Sequence, residues 1–442
     1  MATSLVQLLF FLLAGIAVII LLTAKYRVNA FFALLIAAFL VGFGVQLPAA
    51  VIITVVKDGF GNTMRSLGLI IVLGTTLGVL LEYSGCSRVM AGYILKKTGE
   101  KRAPLAMSLT GFIVGLPVFC DSGYIVLSGL NNSLAKRTGI SIVIMAVSLA
   151  TGLYAVHCLI PPHPGASAGA AAIGVGFGKL TSIGILVAIP GMIIGNFWAR
   201  FAGKKIPHVT VKETVIVTHT AAPSVFLSFL PVIVPIILIA VNSFLSLEKS
   251  SSTDVQKIFS VLGEPAIALS VGVLFALVSI IKWNRHSLNE ILQTGIEKAG
   301  SILIIIGAGG SFGAVLAATG IGNQLSHVMN LAGMGIFFPF LLTFILKTAQ
   351  GSSTVAIITA ASIVLPLLSA LGLDSENGRL LCVLSMGAGS MMISHANDAY
   401  FWVIAKFSGM DMKSMLKVYT VSTILMGLIT LLTVYILSLF LL

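Results

Sequence analysis

Long apolar segments separated by short polar connections follow one another along the whole chain. Most have about the length of roughly 20 residues that a helix needs to cross the hydrocarbon core of a bilayer. The pattern predicts an all-α polytopic (multi-pass) membrane protein. The predicted spans cover about 5–23, 29–46, 66–82, 103–119, 140–160, 182–199, 223–245, 263–281, 301–318, 331–346, 353–371, 379–393 and 419–441.

The composition excludes a soluble globular protein. Of the 442 residues 57% are hydrophobic and 9% are charged, whereas soluble domains carry roughly 25% charged residues. The formal net charge of +12 comes from basic clusters between apolar segments, such as 96–102 and 282–285. Such clusters are typical of cytoplasmic loops, so we predict the lipid bilayer as a partner and no nucleic acid.

Four apolar segments are interrupted by glycine or proline together with polar residues, at 116–123, 160–165, 350–354 and 390–398. Irregular backbone at membrane depth is tolerated where it lines a cavity or is buried in protein. Glycines elsewhere in the apolar segments are explained by close helix packing. The four interruptions therefore predict broken helices around a cavity.

The interruptions form two pairs with one separation. Asp121 and Ser353 are 232 positions apart (353 − 121), and so are His163 and His395 (395 − 163). A third match, between 77–85 and 312–320, has an offset of 235 (320 − 85). Three ordered matches at a nearly constant offset indicate an internal duplication.

The duplication divides a single membrane domain, residues 1–442, into two repeats. Repeat one covers about 1–200, a central polar loop covers about 200–222, and repeat two covers about 223–442. Interrupted segments at equivalent places in two repeats are typical of secondary transporters, with the substrate site near the bilayer midplane. The number of crossings per repeat, and hence an inverted relation, does not follow from these boundaries.

Two functions other than transport are a membrane enzyme and a channel. A membrane enzyme would use His395 and Asp398 as an acid–base pair, but no activated nucleophile or metal-binding cluster accompanies them. A channel would carry polar residues along whole helices, which these spans lack outside the four interruptions. We predict a transporter, with no catalytic residue, no metal and no cofactor.

Ionisable side chains within apolar segments are costly, so they are candidates for function. Asp121 is predicted to bind a proton or to orient a substrate hydroxyl. The alternative is that it only caps a helix N-terminus in a turn at the membrane interface. His163, which lies among three prolines, is a substrate ligand or a hydrogen-bonded loop residue. His395 and Asp398 belong to the most polar stretch of the C-terminal half, which would alternatively be a loop at the membrane surface.

Residues 350–354 place amide, hydroxyl and backbone N–H groups before an apolar run. A helix N-terminus suits a carboxylate ligand, although ordinary N-capping by Ser352 or Ser353 explains the same residues. The predicted proton-coupling residues are Asp121, His395 and Asp398. The predicted substrate-binding residues are Asp121, Ser122, Gly123, His163, Gln350, Gly351, Ser352, Ser353, Thr354, His395 and Asn397.

The stretches GLPVFCDSGY, LIPPHPGA, AQGSSTVAIITAAS and SMMISHANDAYFWV resemble those of the gluconate permease family, the bacterial gluconate–proton symporters. The resemblance covers essentially the whole chain. It implies the ion-transporter superfamily fold, with inverted repeats, re-entrant hairpins, broken helices, a homodimeric scaffold and an elevator-type movement. It also implies symport of gluconate or a related sugar acid with a proton across the bacterial inner membrane. Because the family includes carriers of other hydroxy and amino acids, D-serine or glycerate is the alternative substrate.

Overall fold

The computed structural model describes residues 5–99, 102–206, 223–245, 254–280, 285–320, 333–395 and 398–442. Every regular element in these ranges is helical, which confirms the predicted all-α class. The helices before residue 207 are α1 (Leu5–Ile20), α2 (Ala30–Gly44), α3 (Ala49–Tyr83), α4 (Cys86–Thr98), α5 (Ala103–Gly115), α6 (Cys120–Thr138), α7 (Ile142–Leu159), α8 (Pro164–Ile173) and α9 (Phe177–Gly203).

The second part of the described chain begins at residue 223. Its last helix contains a π-helical turn at Met415–Thr420. The helices are α10 (Val225–Leu245), α11 (Asp254–Leu262), α12 (Pro265–Val278), α13 (Arg285–Ala318), α14 (Phe337–Gln350), α15 (Ser353–Val364), α16 (Glu376–Met391), α17 (Ala399–Ser408) and α18 (Met412–Leu441).

Six helical segments of the described chain are long and apolar enough to cross a membrane, or eight if each of two bent helix pairs is one span. One of the six, Ile142–Ile173, joins α7 and α8. Four further apolar helices are shorter, and among them α5 has 13 residues and α14 has 14. At 1.5 Å per residue these two helices are about 20 Å long, less than the roughly 30 Å of the hydrocarbon core.

The predicted spans correspond to observed helices, but the structure contains more helix than the apolar pattern predicts. The span predicted at 66–82 is the second half of α3, which begins at Ala49. Lys57, Asp58 and Arg65 interrupt the apolar run there, but the backbone stays helical, since Lys and Arg are good helix formers. The two parts of α3, Ala49–Arg65 and Gly68–Tyr83, are bent relative to each other by 46°. Additional helices were missed for similar reasons or because they are short, namely α4, α6, α8, α11 and α17.

Each of the four predicted interruptions separates two helices. Residues 116–119 lie between α5 and α6, and residues 160–163 lie between α7 and α8. In the second half, residues 351–352 separate α14 from α15, and residues 392–398 separate α16 from α17. Pro164 at the start of α8 and Gly351 after α14, with φ +83°, show how proline and glycine set these boundaries.

Several described helices recur in the two halves at a nearly constant spacing. The ends of α3 and α13 have an offset of 235 (318 − 83), and the starts of α9 and α18 have the same offset (412 − 177). The glycines that end α8 and α17, Gly174 and Gly409, both have positive φ, and their offset is also 235 (409 − 174). The recurrence extends the sequence matches to whole helices.

The packing of helices follows the same pairing. The long helices α3 and α13 pack along each other, and so do α9 and α18. α8 packs against α15, and α17 packs against α6, which is the same contact with the halves exchanged. The Ser362 hydroxyl of α15 donates to the Gly309 carbonyl of α13 at 2.7 Å, so the broken helices are joined to the α3–α13 pair.

Candidate functional site

A cavity of about 480 Å³ lies where the broken helices meet. The first residues of four helices line it, namely Cys120 of α6, Pro164 of α8, Ser353 of α15 and Ala399 of α17. The first four N–H groups of a helix lack intrahelical partners, and the helix dipole places partial positive charge there. Four such ends around one cavity make it suited to an anion.

Local sequence explains why these helices begin at the cavity. The Ser352 hydroxyl caps α15 by accepting from the Val355 N–H at 3.3 Å. The Asp398 carboxylate caps α17 by accepting from the Tyr400 N–H at 2.9 Å. Both are preferred N-cap residue types, so they fix helix starts at a cavity that they also line.

Three charged side chains line the cavity within the described residues: Asp121, Lys298 and Asp398. Asp121 lies in the first turn of α6, where its Oδ1 atom is 3.8 Å from the Cys120 Sγ atom. Lys298 projects from α13 on the same helical face as Ser301 and Ile305. The lining therefore contains both charge signs, and no described group of three or more His, Cys, Asp or Glu residues is placed to hold a metal.

Asp398, which lines the cavity, is ion-paired with Lys347 of α14. The Lys347 Nζ atom is 2.8 Å from Asp398 Oδ2 and also donates to the Gly351 carbonyl at 2.7 Å. The Ser394 hydroxyl donates to the same carboxylate oxygen at 2.5 Å. Lys347 is fully buried, so both charges of the pair are compensated within the protein.

One wall of the cavity is aromatic. Tyr154 and His157 of α7 both line it, with their rings stacked at 6.3 Å between centroids. Tyr400 of α17 continues this wall, at 5.8 Å from the Tyr154 ring. The Tyr400 hydroxyl donates to the Ala150 carbonyl at 3.3 Å, which holds α17 against α7.

The two predicted histidines occupy equivalent positions outside the cavity lining. The Nε2 atom of His163 lies 2.6 Å from the carbonyl oxygen of Gly115, the last residue of α5. The Nε2 atom of His395 lies 3.1 Å from the carbonyl oxygen of Thr348, near the end of α14. Because a carbonyl only accepts, each Nε2 carries the hydrogen. Each ring thus ties a helix break to the end of another helix.

The structure gathers six of the predicted residues at the cavity and places others beside it. Gly123 packs against Leu153, where an added Cβ would lie 2.8 Å from the leucine Cδ2 atom. Asn397 lies outside the described residues, and the side chains of Ser122 and Gln350 do as well. The predicted residues that line the cavity are Asp121, Gly351, Ser352, Ser353, Thr354 and Asp398.

Several residues of the site were not predicted from the sequence. Lys347 interrupts the apolar helix at 337–349, and His157 lies within the apolar segment at 140–160. The cost of an ionisable group in a span is the signal that would have identified both. Tyr154 and Tyr400 carry no such signal, because aromatic residues are common in apolar helices.

Span-length apolar helices, paired helix breaks and a cavity between them that holds charged and hydroxyl groups define a multi-pass membrane protein of the transporter class. Residues 7–440 match the sequence profile of the GntP family permeases, so the chain belongs to that family. This membership confirms the predicted family and the prediction of a transporter rather than an enzyme.

Curated relatives match this chain over most of its length. The gluconate permease of Pseudomonas aeruginosa is 32% identical, with 95% of each chain covered. The D-serine transporter DsdX of Escherichia coli K12 is 29% identical, with 97% of each chain covered. Among solved structures, the YdaH transporter of Alcanivorax borkumensis has a TM-score of 0.64 at 15% identity, covering 89% of this chain and 90% of that one. At that identity the likeness concerns the fold alone.

Proposed function

We propose that this permease takes up gluconate or a closely related sugar acid together with a proton across the bacterial inner membrane. The observation that carries the proposal is the convergence of four helix N-termini on one cavity. Orphan N–H groups and partial positive charge at those ends favour a carboxylate. A cavity of about 480 Å³ is within the usual range for a small-molecule site, roughly 300–1,000 Å³.

In the proposed binding mode the substrate carboxylate lies at the start of α15, near Ser352, Ser353 and Thr354. Lys298 on the facing helix provides a positive charge for the same anion. The aromatic wall of Tyr154 and Tyr400 packs against the carbon chain, as apolar walls orient ligands in such pockets. The substrate hydroxyls are bound by the remaining polar groups of the breaks.

Proton coupling is proposed to involve Asp121. A substrate anion in the same cavity would stand beside the Asp121 carboxylate, and two like charges in a poorly solvated site repel each other. Proton binding removes the repulsion, so proton and anion bind cooperatively. His395 and Asp398, which the sequence also suggested, have backbone or ion-pair partners that favour fixed positions.

We also propose the architecture that the resemblance implies: inverted repeats, re-entrant hairpins, a homodimer and an elevator-type movement. The contacts of α8 with α15 and of α17 with α6 support two symmetry-related halves. α5 and α14, too short to cross the bilayer, pack against α6 and α15 as the arms of hairpins would. A reversible disulfide between Gly313→Cys and Ser362→Cys would test the movement, since locking α13 to α15 should stop transport.

The substrate alternatives are another small hydroxy or amino acid, such as D-serine or glycerate. Because the chain is similar to a D-serine transporter, D-serine is included among the substrates to be tested. Purified protein in proteoliposomes should acidify the lumen when gluconate is added outside. Labelled gluconate uptake should then be competed by other aldonates, hexuronates, glycerate and D-serine to rank the acids. Absence of both proton flux and uptake with every acid would contradict the proposal.

A further inference from the structure

Lys347 is a buried cation in α14, next to the break between α14 and α15, yet it does not line the cavity. It lies in α14, a helix of mainly apolar residues, and its side chain is fully buried. An ammonium group in such surroundings is retained only with compensating partners. Its partners are the Gly351 carbonyl and the Asp398 carboxylate, both of which belong to cavity-lining residues.

These two contacts join different helix breaks. Gly351 belongs to the break between α14 and α15, while Asp398 is the N-cap of α17. One ammonium group therefore holds the starts of two of the four helices that point at the cavity. Ser394 adds a second donor to the Asp398 carboxylate, at 2.5 Å.

The charge of Lys347 also matters for an anion. The C-terminus of α14 carries partial negative charge, and it lies close to the positive N-terminus of α15. The ammonium group neutralises the Asp398 carboxylate and offsets the C-terminal carbonyls of α14. The partial positive charges at the N-termini of α15 and α17 are then not cancelled by these negative groups, so they can attract an anion in the cavity.

The first half of the chain has no equivalent of this pair. Gly115 stands in place of Lys347 (347 − 232), and at the offset of 235 that relates the ends of α8 and α17 the N-cap residue His163 stands in place of Asp398 (398 − 235). The ion pair is therefore not required by the repeated helix arrangement itself. A specific role in the second half is the remaining reason for burying two charges.

We propose that Lys347 is a positioning residue of the substrate site, which holds the Gly351 carbonyl and the Asp398 carboxylate so that α15 and α17 direct their N–H groups at the bound anion. The role rests on the proposed anion site. The proposal also makes Asp398 a positioning residue, as the fixed ion-pair partner of Lys347. Lys347 acts through these two residues and does not touch the substrate.

The test compares Lys347→Met, Asp398→Asn and the double variant K347M/D398N with wild-type protein. Lys413→Met is the matched control, since Lys413 is exposed in the turn that begins α18. Binding of labelled gluconate to purified protein is measured without a proton gradient. We expect the dissociation constant to rise tenfold or more in both single variants and to stay within twofold of wild type in the control.

The double variant separates positioning from folding. It leaves no unpaired buried charge, so it should unfold closer to the wild-type temperature than either single variant, while gluconate binding stays weak. Wild-type affinity in K347M or in the double variant would overturn the proposal. Loss of folding in the double variant would also overturn it, because the pair would then serve folding.

Amide hydrogen exchange provides a readout that needs no substrate. In K347M, exchange should become at least tenfold faster in the first two turns of α15 and α17, but not in those of α8. If wild-type protein binds none of the acids tested, the proposed function fails, whereas the exchange rates still test Lys347. Unchanged exchange in α15 and α17 would overturn the positioning role.

Discussion

His163 and Gly115 are joined by a hydrogen bond of 2.6 Å between the imidazole Nε2 atom and the backbone carbonyl oxygen. The bond connects the break before α8 with the last residue of α5, and the ring is almost fully buried. His157, whose ring centroid is 5.0 Å away, lines the cavity instead. Two neighbouring histidines thus have different surroundings and should respond differently to substitution.

We predict that His163→Phe lowers stability and that His157→Phe lowers substrate affinity. Phenylalanine keeps the ring but cannot donate to Gly115, and an unsatisfied buried carbonyl costs about 1–3 kcal/mol. Thermal unfolding in detergent should show a lower midpoint for H163F, with KM within twofold of wild type. H157F should show a raised KM with an unfolding midpoint close to that of wild type. A wild-type melting temperature with a flattened pH profile in H163F would instead identify His163 as a titrating group.

Ser352 and Ser375 allow a matched test of the anion site, because both cap helices in the same way. Their hydroxyls accept from the backbone N–H groups of Val355 and Gly378, at 3.3 and 3.0 Å. Replacing either by alanine should cost about 1 kcal/mol of stability. Only Ser352 lines the cavity, so only Ser352→Ala should raise KM, by about tenfold for a lost hydrogen bond to a charged group.

The readout is initial uptake of labelled gluconate over a range of concentrations, alongside thermal unfolding of both variants. Equal increases of KM in Ser352→Ala and Ser375→Ala would mean that the effect comes from helix stability. An unchanged KM in Ser352→Ala would place the carboxylate elsewhere in the cavity.

The positions of the helix breaks were predictable because they depend on local sequence. Pro161, Pro162 and Pro164 lack the backbone N–H group that a continuous helix requires, and Gly351 adopts a positive φ. The matching separations of Asp121 from Ser353 and of His163 from His395 pair the breaks along the chain. The proline and glycine signals lie within short stretches of sequence, and the separations are simple differences of residue numbers, so neither requires knowledge of the packing.

The composition of the cavity was less predictable, because it depends on the direction of side chains after packing. His163 belongs to a break, yet its ring bonds to the Gly115 carbonyl and does not line the cavity. Tyr154 and Tyr400 line the cavity although they look like ordinary packing residues. Spacing along the chain specifies which residues are at a break, but not which of them face its open side.

The surface carboxylates should not contribute to the pH dependence of transport near neutrality. Hydrogen bonds from Arg379 and Lys179 lower the pKa values of Asp374 and Glu376, at 2.7 and 2.6 Å. A lowered pKa adds stability above the unfolded-state value, near 4, and this contribution is lost only as the pH falls through the folded-state value. Both groups therefore remain ionised between about pH 5.5 and 8.

We accordingly predict that Asp374→Asn and Glu376→Gln keep the wild-type pH profile of gluconate uptake over that range. Their melting temperatures should change little, because exposed ion pairs contribute about 0–1 kcal/mol. Uptake in proteoliposomes buffered at a series of pH values checks this expectation. A profile flattened in either variant would mean that a surface ion pair takes part in coupling.

Asp121 provides the decisive test of proton coupling, because it shares the cavity with the starts of the other broken helices. Asn keeps the size of the side chain but cannot take up a proton. If Asp121 carries the coupling proton, Asp121→Asn should still exchange internal for external gluconate, while its accumulation ratio falls to about 1, the value without coupling to a proton gradient. Asp374→Asn, which removes an exposed carboxylate, should accumulate gluconate as wild type does. Counterflow and gradient-driven uptake are measured on the same proteoliposomes. Loss of both activities in D121N would make Asp121 a substrate ligand, and full accumulation would place the proton on another group.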